Sequence, residues 1–186
     1  MKNFVLFFIA AGWTVSSFAQ VEVGGVILPG TLDIQGHTLK LNGAGVREKF
    51  WIDLYSAGLY LEEKSADAPG IITAERPMGI RLHIVSKLIT SEKMSEAVME
   101  GFEKSTNGNT QPVQDEINQI LSFFEEDIHK NDIFDLIYLP SEGVIAFKNG
   151  KRRGVIKGKE FKEALFGIWL SERPADGDLK SALLGK

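Results

Sequence analysis

The period of the apolar residues changes twice along this chain, and that change restricts the folds open to it. Over residues 21–85 the pattern suits strands: Leu39 and Leu41 alternate with Thr38 and Lys40, and in residues 80–85 Ile80, Leu82 and Ile84 share a face opposite Arg81 and His83. Over 91–104 the spacing becomes helical, with Met94, Ala97, Val98 and Phe102 on one side and Glu92, Glu96, Glu100 and Glu103 on the other. Val113, Ile117, Ile120, Leu121, Phe124 and Ile128 extend a second helical stripe, with Pro112 suited to its first turn. Strand character returns over 133–139, 143–147 and 154–157, and Asn149-Gly150 is a hairpin signal between the last two. Residues 158–170 read as a helix burying Phe161, Leu165, Ile168 and Trp169, Pro174 ends it, and residues 178–184 form a short final helix. Strands, two helices, hairpin strands and then helices describe one α+β domain, a large antiparallel sheet covered on one face by a layer of helices.

Composition narrows the function classes. The 186 residues are 44% hydrophobic, enough for one core, and the net charge of −4 with scattered Lys and Arg excludes a nucleic-acid partner. Without cysteine there are no disulfides, thiolate nucleophiles or iron–sulfur clusters. Lys2, the ten apolar residues 4–13 and the small residues Ser17 and Ala19 predict a signal peptide over 1–19, leaving a domain over 20–186. That apolar run falls well short of the ~20 residues that cross a bilayer, so the expected product is exported to a periplasm, with no stable membrane insertion after cleavage.

Few residues suggest chemistry. His37 in a turn, His83 in a strand and His129 at a helix end are too scattered for a metal site, and Glu125, Glu126 and Asp127 read as a solvated face. Lys148, Lys151, Arg152 and Arg153 form a basic patch at a hairpin tip. Gly43-Ala44-Gly45 lacks the third glycine and the following helix of a dinucleotide fingerprint, and reads as a flexible turn. Residues 46–61 then read as a strand bent or broken around Ala57-Gly58, closed by a turn at Ala68-Pro69-Gly70, and residues 21–28 as a single strand. Arg47 stands between the glycine turn and an aromatic strand; buried without a protein carboxylate, its guanidinium would take an outside anion, and otherwise it pairs with Glu48 or Asp53 at the surface.

Residues 39–61 (LKLNGAGVREKFWIDLYSAGLYL) and 161–186 (FKEALFGIWLSERPADGDLKSALLGK) resemble the chalcone isomerase-like superfamily, in particular its bacterial exported branch, with Ser171 replacing the usual glycine of the IWLG turn. The resemblance implies an open-faced β-sandwich, a large antiparallel sheet with helices on one face and a ligand cleft between the layers. It also implies that Arg47 matches the arginine with which the plant enzymes attract a phenolate. Their other polar site residues fall on Tyr55 (for threonine), Met94 (for tyrosine), Gly101 (for asparagine) and Ile168 (for threonine). One preorganised donor contributes roughly 3–4 kcal/mol to a transition state, whereas enzymes need about 8 kcal/mol or more.

Non-enzymatic relatives bind fatty acids, with the matching arginine at the carboxylate. The resemblance therefore implies a monomer, without cofactor or metal, that binds a small apolar carboxylate such as a fatty acid without turnover. Arg47 and Tyr55 would hold the head group, with Met94, Val98, Phe102, Ile168 and Trp169 lining the cleft. The first alternative is an isomerase or intramolecular lyase acting on a chalcone-like or other phenolic substrate, with Arg47 as electrophile and Tyr55 as general acid. The second is a non-catalytic partner-binding module that uses the basic hairpin around Lys151.

Overall fold

Turn chemistry and alternation build a meander. The computed structural model describes residues 20–186, so the segment read as a signal peptide lies outside the described residues. After a small hairpin of Val21–Val23 (β1) and Val26–Leu28 (β2), seven strands pair in chain order, each antiparallel to the next. They are Thr31–Ile34 (β3), His37–Lys49 (β4), Ile52–Leu61 (β5), Met78–Ile84 (β6), Ile133–Leu139 (β7), Gly143–Lys148 (β8) and Lys151–Ile156 (β9). The helices are Ala68–Thr73 (α1), Ser91–Ser105 (α2), Gln114–Ser122 (α3), Lys159–Leu170 (α4) and Gly177–Leu183 (α5). This is the expected α+β architecture.

Several boundaries differ from expectation, each for a local reason. Residues 21–28 are two strands, because Gly24 and Gly25 take φ of 58° and 74° and turn the chain back. The glycine stretch 43–45 is strand interior, and β5 runs unbroken through Ala57-Gly58; the break falls at Phe50-Trp51, both in the left-handed region at φ 52° and 61°. Where Ala68-Pro69-Gly70 suggested a turn, α1 forms, because the Asp67 side chain accepts from the Gly70 N–H and Pro69 suits the first turn. α3 stops at Ser122 instead of continuing to Ile128, since Glu125, Glu126 and Asp127 would have set three carboxylates against the negative end of the helix. His129 accordingly lies in a turn beyond the helix, where its N–H donates to Asp132, and His37 begins β4.

The main core lies between the sheet and the helices, with Leu59, Ile80, Leu82 and Leu136 facing Phe102, Leu165 and Phe166. A smaller one on the opposite face gathers Leu39, Leu41, Tyr60 and Ile137. The β1–β2 hairpin is held against β5 on that face, where the Ser56 hydroxyl donates to the Val23 carbonyl at 2.8 Å and the Tyr60 hydroxyl to the Pro29 carbonyl at 2.9 Å. Gly43 and Gly45 set the position of the site. A Cβ at Gly43 would come within 2.1 Å of the Ala182 carbonyl oxygen and one at Gly45 within 2.7 Å of the Ala182 methyl, so only glycines let α5 lie directly on β4.

Candidate functional site

Between the helix-covered face of the sheet and helices α2 and α4 lies an apolar cavity of about 430 Å³, a size typical of small-molecule sites. Leu54, Leu82 and Leu136 form its floor, Met94 and Val98 one wall, Ile168 and Trp169 another, and Arg47 and Tyr55 lie on the same lining. Six of the seven residues singled out from the sequence are thus brought together. Phe102 is the exception. It is fully buried in the core, stacked on Phe161 with ring centroids 5.8 Å apart, because the helical turn puts its neighbour Gly101 on the cavity side. Gly101 also lets α2 approach α4, since a Cβ there would stand 2.7 Å from Ile168.

Arg47 sits on β4 in register with Tyr55 on β5. The expectation that it lacks a protein counter-charge is overturned: its Nη1 donates to Asp176 Oδ2 at 2.9 Å and to the Glu48 carbonyl at 3.0 Å. The partner is neither of the nearby carboxylates weighed from sequence. Asp176 is the N-cap of α5, and its other oxygen accepts the Leu179 N–H at 3.0 Å, so the docking of α5 on Gly43 and Gly45 delivers a carboxylate from 129 residues away. Burial pushes the Asp176 carboxyl up, but the Leu179 amide and the Arg47 guanidinium together outweigh it and leave it below the usual range.

A guanidinium carries five N–H donors, and Arg47 uses only Nη1. Its Nε and Nη2 make no hydrogen bond within the described residues, and neither is sealed from solvent. Tyr55 is in a comparable state. Trp169 Nε1, which can only donate, donates to the Tyr55 oxygen at 3.1 Å, leaving the phenol hydrogen without an acceptor among the described residues. Burial raises the Tyr55 pKa, against the opposing effects of the Trp169 hydrogen bond and the Arg47 charge, so the phenol keeps its proton. Lys49, Lys93 and Lys104 line the cavity with Glu96 and Glu100, and Lys104 is paired to Glu100. The site therefore offers N–H and O–H donors beside an apolar chamber, an arrangement that can hold oxygen acceptors on an otherwise hydrocarbon molecule.

The remaining candidates are elsewhere. Among the described residues no group of three or more His, Cys, Asp or Glu side chains is arranged to hold a metal. His83 lies on the opposite face of the sheet with Nε2 buried and without a hydrogen-bond partner among the described residues, its pKa lowered by burial and by Arg81. The basic hairpin is compensated in part: Arg152 pairs with Glu142, Arg153 with Glu126, and the Lys148 ammonium turns inward to the Asp127 carbonyl at 2.6 Å, whereas the exposed Lys151 forms no ion pair among the described residues. The participant that sequence reasoning missed is Asp176. Its only local signal is an N-cap aspartate before a short helix.

Comparison with known proteins agrees with the architecture. Residues 20–185 match the protein family described as chalcone isomerase-like. The crystal structure of a fatty-acid binding protein from Arabidopsis thaliana superposes with a TM-score of 0.72 at 19% identity, over 89% of this chain and 96% of that one. No curated protein is significantly similar in sequence.

Proposed function

The chain belongs to the chalcone isomerase-like family, and from that premise we propose that it binds a small apolar carboxylate, such as a fatty acid, without turning it over. The observation that carries this reading is the pairing of an apolar cavity with two unused donor edges: the Nε/Nη2 side of Arg47 and the O–H of Tyr55. The fatty-acid binding protein of similar fold supports the choice of ligand class. A buried chain gains about 0.8 kcal/mol per methylene, so ten give ~8 kcal/mol before ordering costs. Charged hydrogen bonds at the head group add ~1.5–3 kcal/mol. The tail thus supplies most of the affinity, and Arg47 and Tyr55 fix the orientation.

Asp176 changes how the head group is held. The Arg47–Asp176 pair is neutral, so an incoming carboxylate adds a negative charge to a partly buried mouth. Lys49 and Lys93, which line the same cavity and form no ion pair among the described residues, offset it. Arg47 lines the cavity and is held at Nη1, which leaves its Nε/Nη2 fork without a hydrogen bond among the described residues, and such a fork suits two parallel bonds to a carboxylate. Met94, Gly101 and Ile168 supply no acid, base or further donor, which favours binding over catalysis. We also read the protein as exported and monomeric, beginning at Gln20 once its leader is removed.

Calorimetric titration of dodecanoate and dodecanol into the protein tests the reading. Dodecanoate is expected to bind one to one and more tightly than the alcohol, with the preference lost in Arg47→Ala. Ala97→Trp, at an exposed position on the cavity lining, is expected to block both ligands while leaving the fold intact. Absence of binding, or turnover of a chalcone abolished by Arg47→Ala, would overturn the proposal.

A further inference from the structure

Four hairpin turns in the described residues have both central residues at positive φ: Gly24-Gly25, Gln35-Gly36, Phe50-Trp51 and Asn149-Gly150. Three end in glycine, as this geometry requires. The fourth holds two large aromatics in the left-handed region, which is costly for such residues, and neither is compensated by burial. Phe50 is 77% and Trp51 91% exposed. Ile52, next in the chain, and Leu88 are also exposed, and Phe50, Ile52 and Leu88 all line the cavity. Exposed apolar side chains are thus found both at the hairpin tip and on the lining of the chamber, with Phe50 belonging to both.

We propose that the Phe50-Trp51 hairpin docks the protein on a phospholipid bilayer, with the tip inserted into the interfacial layer and the cavity mouth held against the lipid. Two observations select this partner. Phe and Trp bury about 150–250 Å² each, so the tip with Ile52 and Leu88 falls short of the ~800 Å² per partner of a stable protein interface. Lys49 precedes the tip, Lys93 lines the cavity together with Phe50, and Lys87 adjoins Leu88 in the chain; none has an ion pair among the described residues, so all three are available to lipid phosphates. The carboxylates Glu48 and Asp53 face one another in the second pair behind the tip, after Lys49 and Ile52, Glu96 lies on α2, and Glu100 is held by Lys104. No acid interrupts residues 49–52 or 85–91. The purpose of the contact draws on the fatty-acid reading, since an acyl chain would pass between bilayer and cavity without crossing water, but the docking itself does not depend on it.

The test is sedimentation of the protein with vesicles of mixed phosphatidylcholine and phosphatidylglycerol, beside dodecanoate titration in vesicle-free solution. Trp51 lies outside the cavity lining, and glycine is the residue its φ favours, so Trp51→Gly is expected to fold normally and to bind dodecanoate as the parent does. Its vesicle affinity is expected to fall roughly tenfold or more, and a blue shift of tryptophan emission on vesicle binding should vanish with it. Parent protein that ignores the vesicles while binding dodecanoate overturns the docking and leaves the binding function standing. Vesicle binding unchanged by Trp51→Gly overturns it as well, as does a concentration-dependent dimer that Trp51→Gly dissolves with no vesicle binding. Vesicle binding by protein that takes up no dodecanoate would instead sustain the docking and remove the proposed ligand.

Discussion

Two arginine–aspartate pairs lie on opposite faces of the same sheet with nearly equal exposure, 20% and 13% for Arg47–Asp176 against 19% and 12% for Arg81–Asp135. Their geometry differs. Arg81 closes its Nε/Nη2 fork on both oxygens of Asp135, at 2.6 and 2.9 Å, across neighbouring strands β6 and β7. Arg47 is held by Nη1 alone and keeps the same fork unused beside a cavity. Burial therefore does not separate a closed pair from one that leaves donors free. The edge of the guanidinium left over does, and that edge is set by where the aspartate comes from: a strand neighbour in one case, the cap of a docked helix in the other.

The comparison breaks most visibly in stability. Arg81→Ala leaves Asp135 partly buried and unpaired and is expected to cost about 3 kcal/mol in chemical denaturation, with dodecanoate affinity of the folded protein unchanged. Arg47→Ala is expected to reverse the balance, weakening dodecanoate roughly 10- to 100-fold for the loss of a charged hydrogen bond with the smaller effect on denaturation. If both variants lose stability alike and neither loses ligand, the two pairs are equivalent. Tyr55→Phe removes one neutral donor at constant shape and is expected to weaken dodecanoate by about 1 kcal/mol, near fivefold.

Asp176→Asn keeps a good helix cap and removes the charge. It should tighten carboxylate binding and cost about 1 kcal/mol of stability or less. Because the folded Asp176 carboxyl lies below its unfolded value, the contribution of the pair is complete above the unfolded value near 3.9. It is lost as pH falls through the lower folded value. The stability difference between parent and Asn variant should therefore close under acid and persist at neutral pH.

Much of this was legible in the chain. Alternation marked β6, the 3.6-residue period marked α2, and Asn149-Gly150 marked the β8–β9 hairpin, because each signal is local. The Phe50-Trp51 turn was not legible, since its residues contradict the composition such a turn prefers. Six of the seven residues named from sequence lie on the cavity lining and Phe102, one residue off the facing side of α2, does not, while Leu54, Leu82 and Leu136 of the floor carry no local sign that sets them apart from ordinary core. Asp176 was missed because nothing local links an aspartate before the last helix to an arginine on β4; only the approach of α5 over two side-chain-free residues joins them. For Arg47 the sequence sets a counter-charge and an outside anion as alternatives, and the structure supplies the counter-charge, from Asp176, while leaving Nε and Nη2 without a hydrogen bond among the described residues.

The most direct measurement is a calorimetric comparison of dodecanoate binding to the parent and to Arg47→Lys, which keeps the positive charge that Asp176 neutralises but has no planar fork. Affinity about tenfold lower in the lysine variant, at matched folding stability, is the predicted result. Equal affinity in the two proteins would contradict the account.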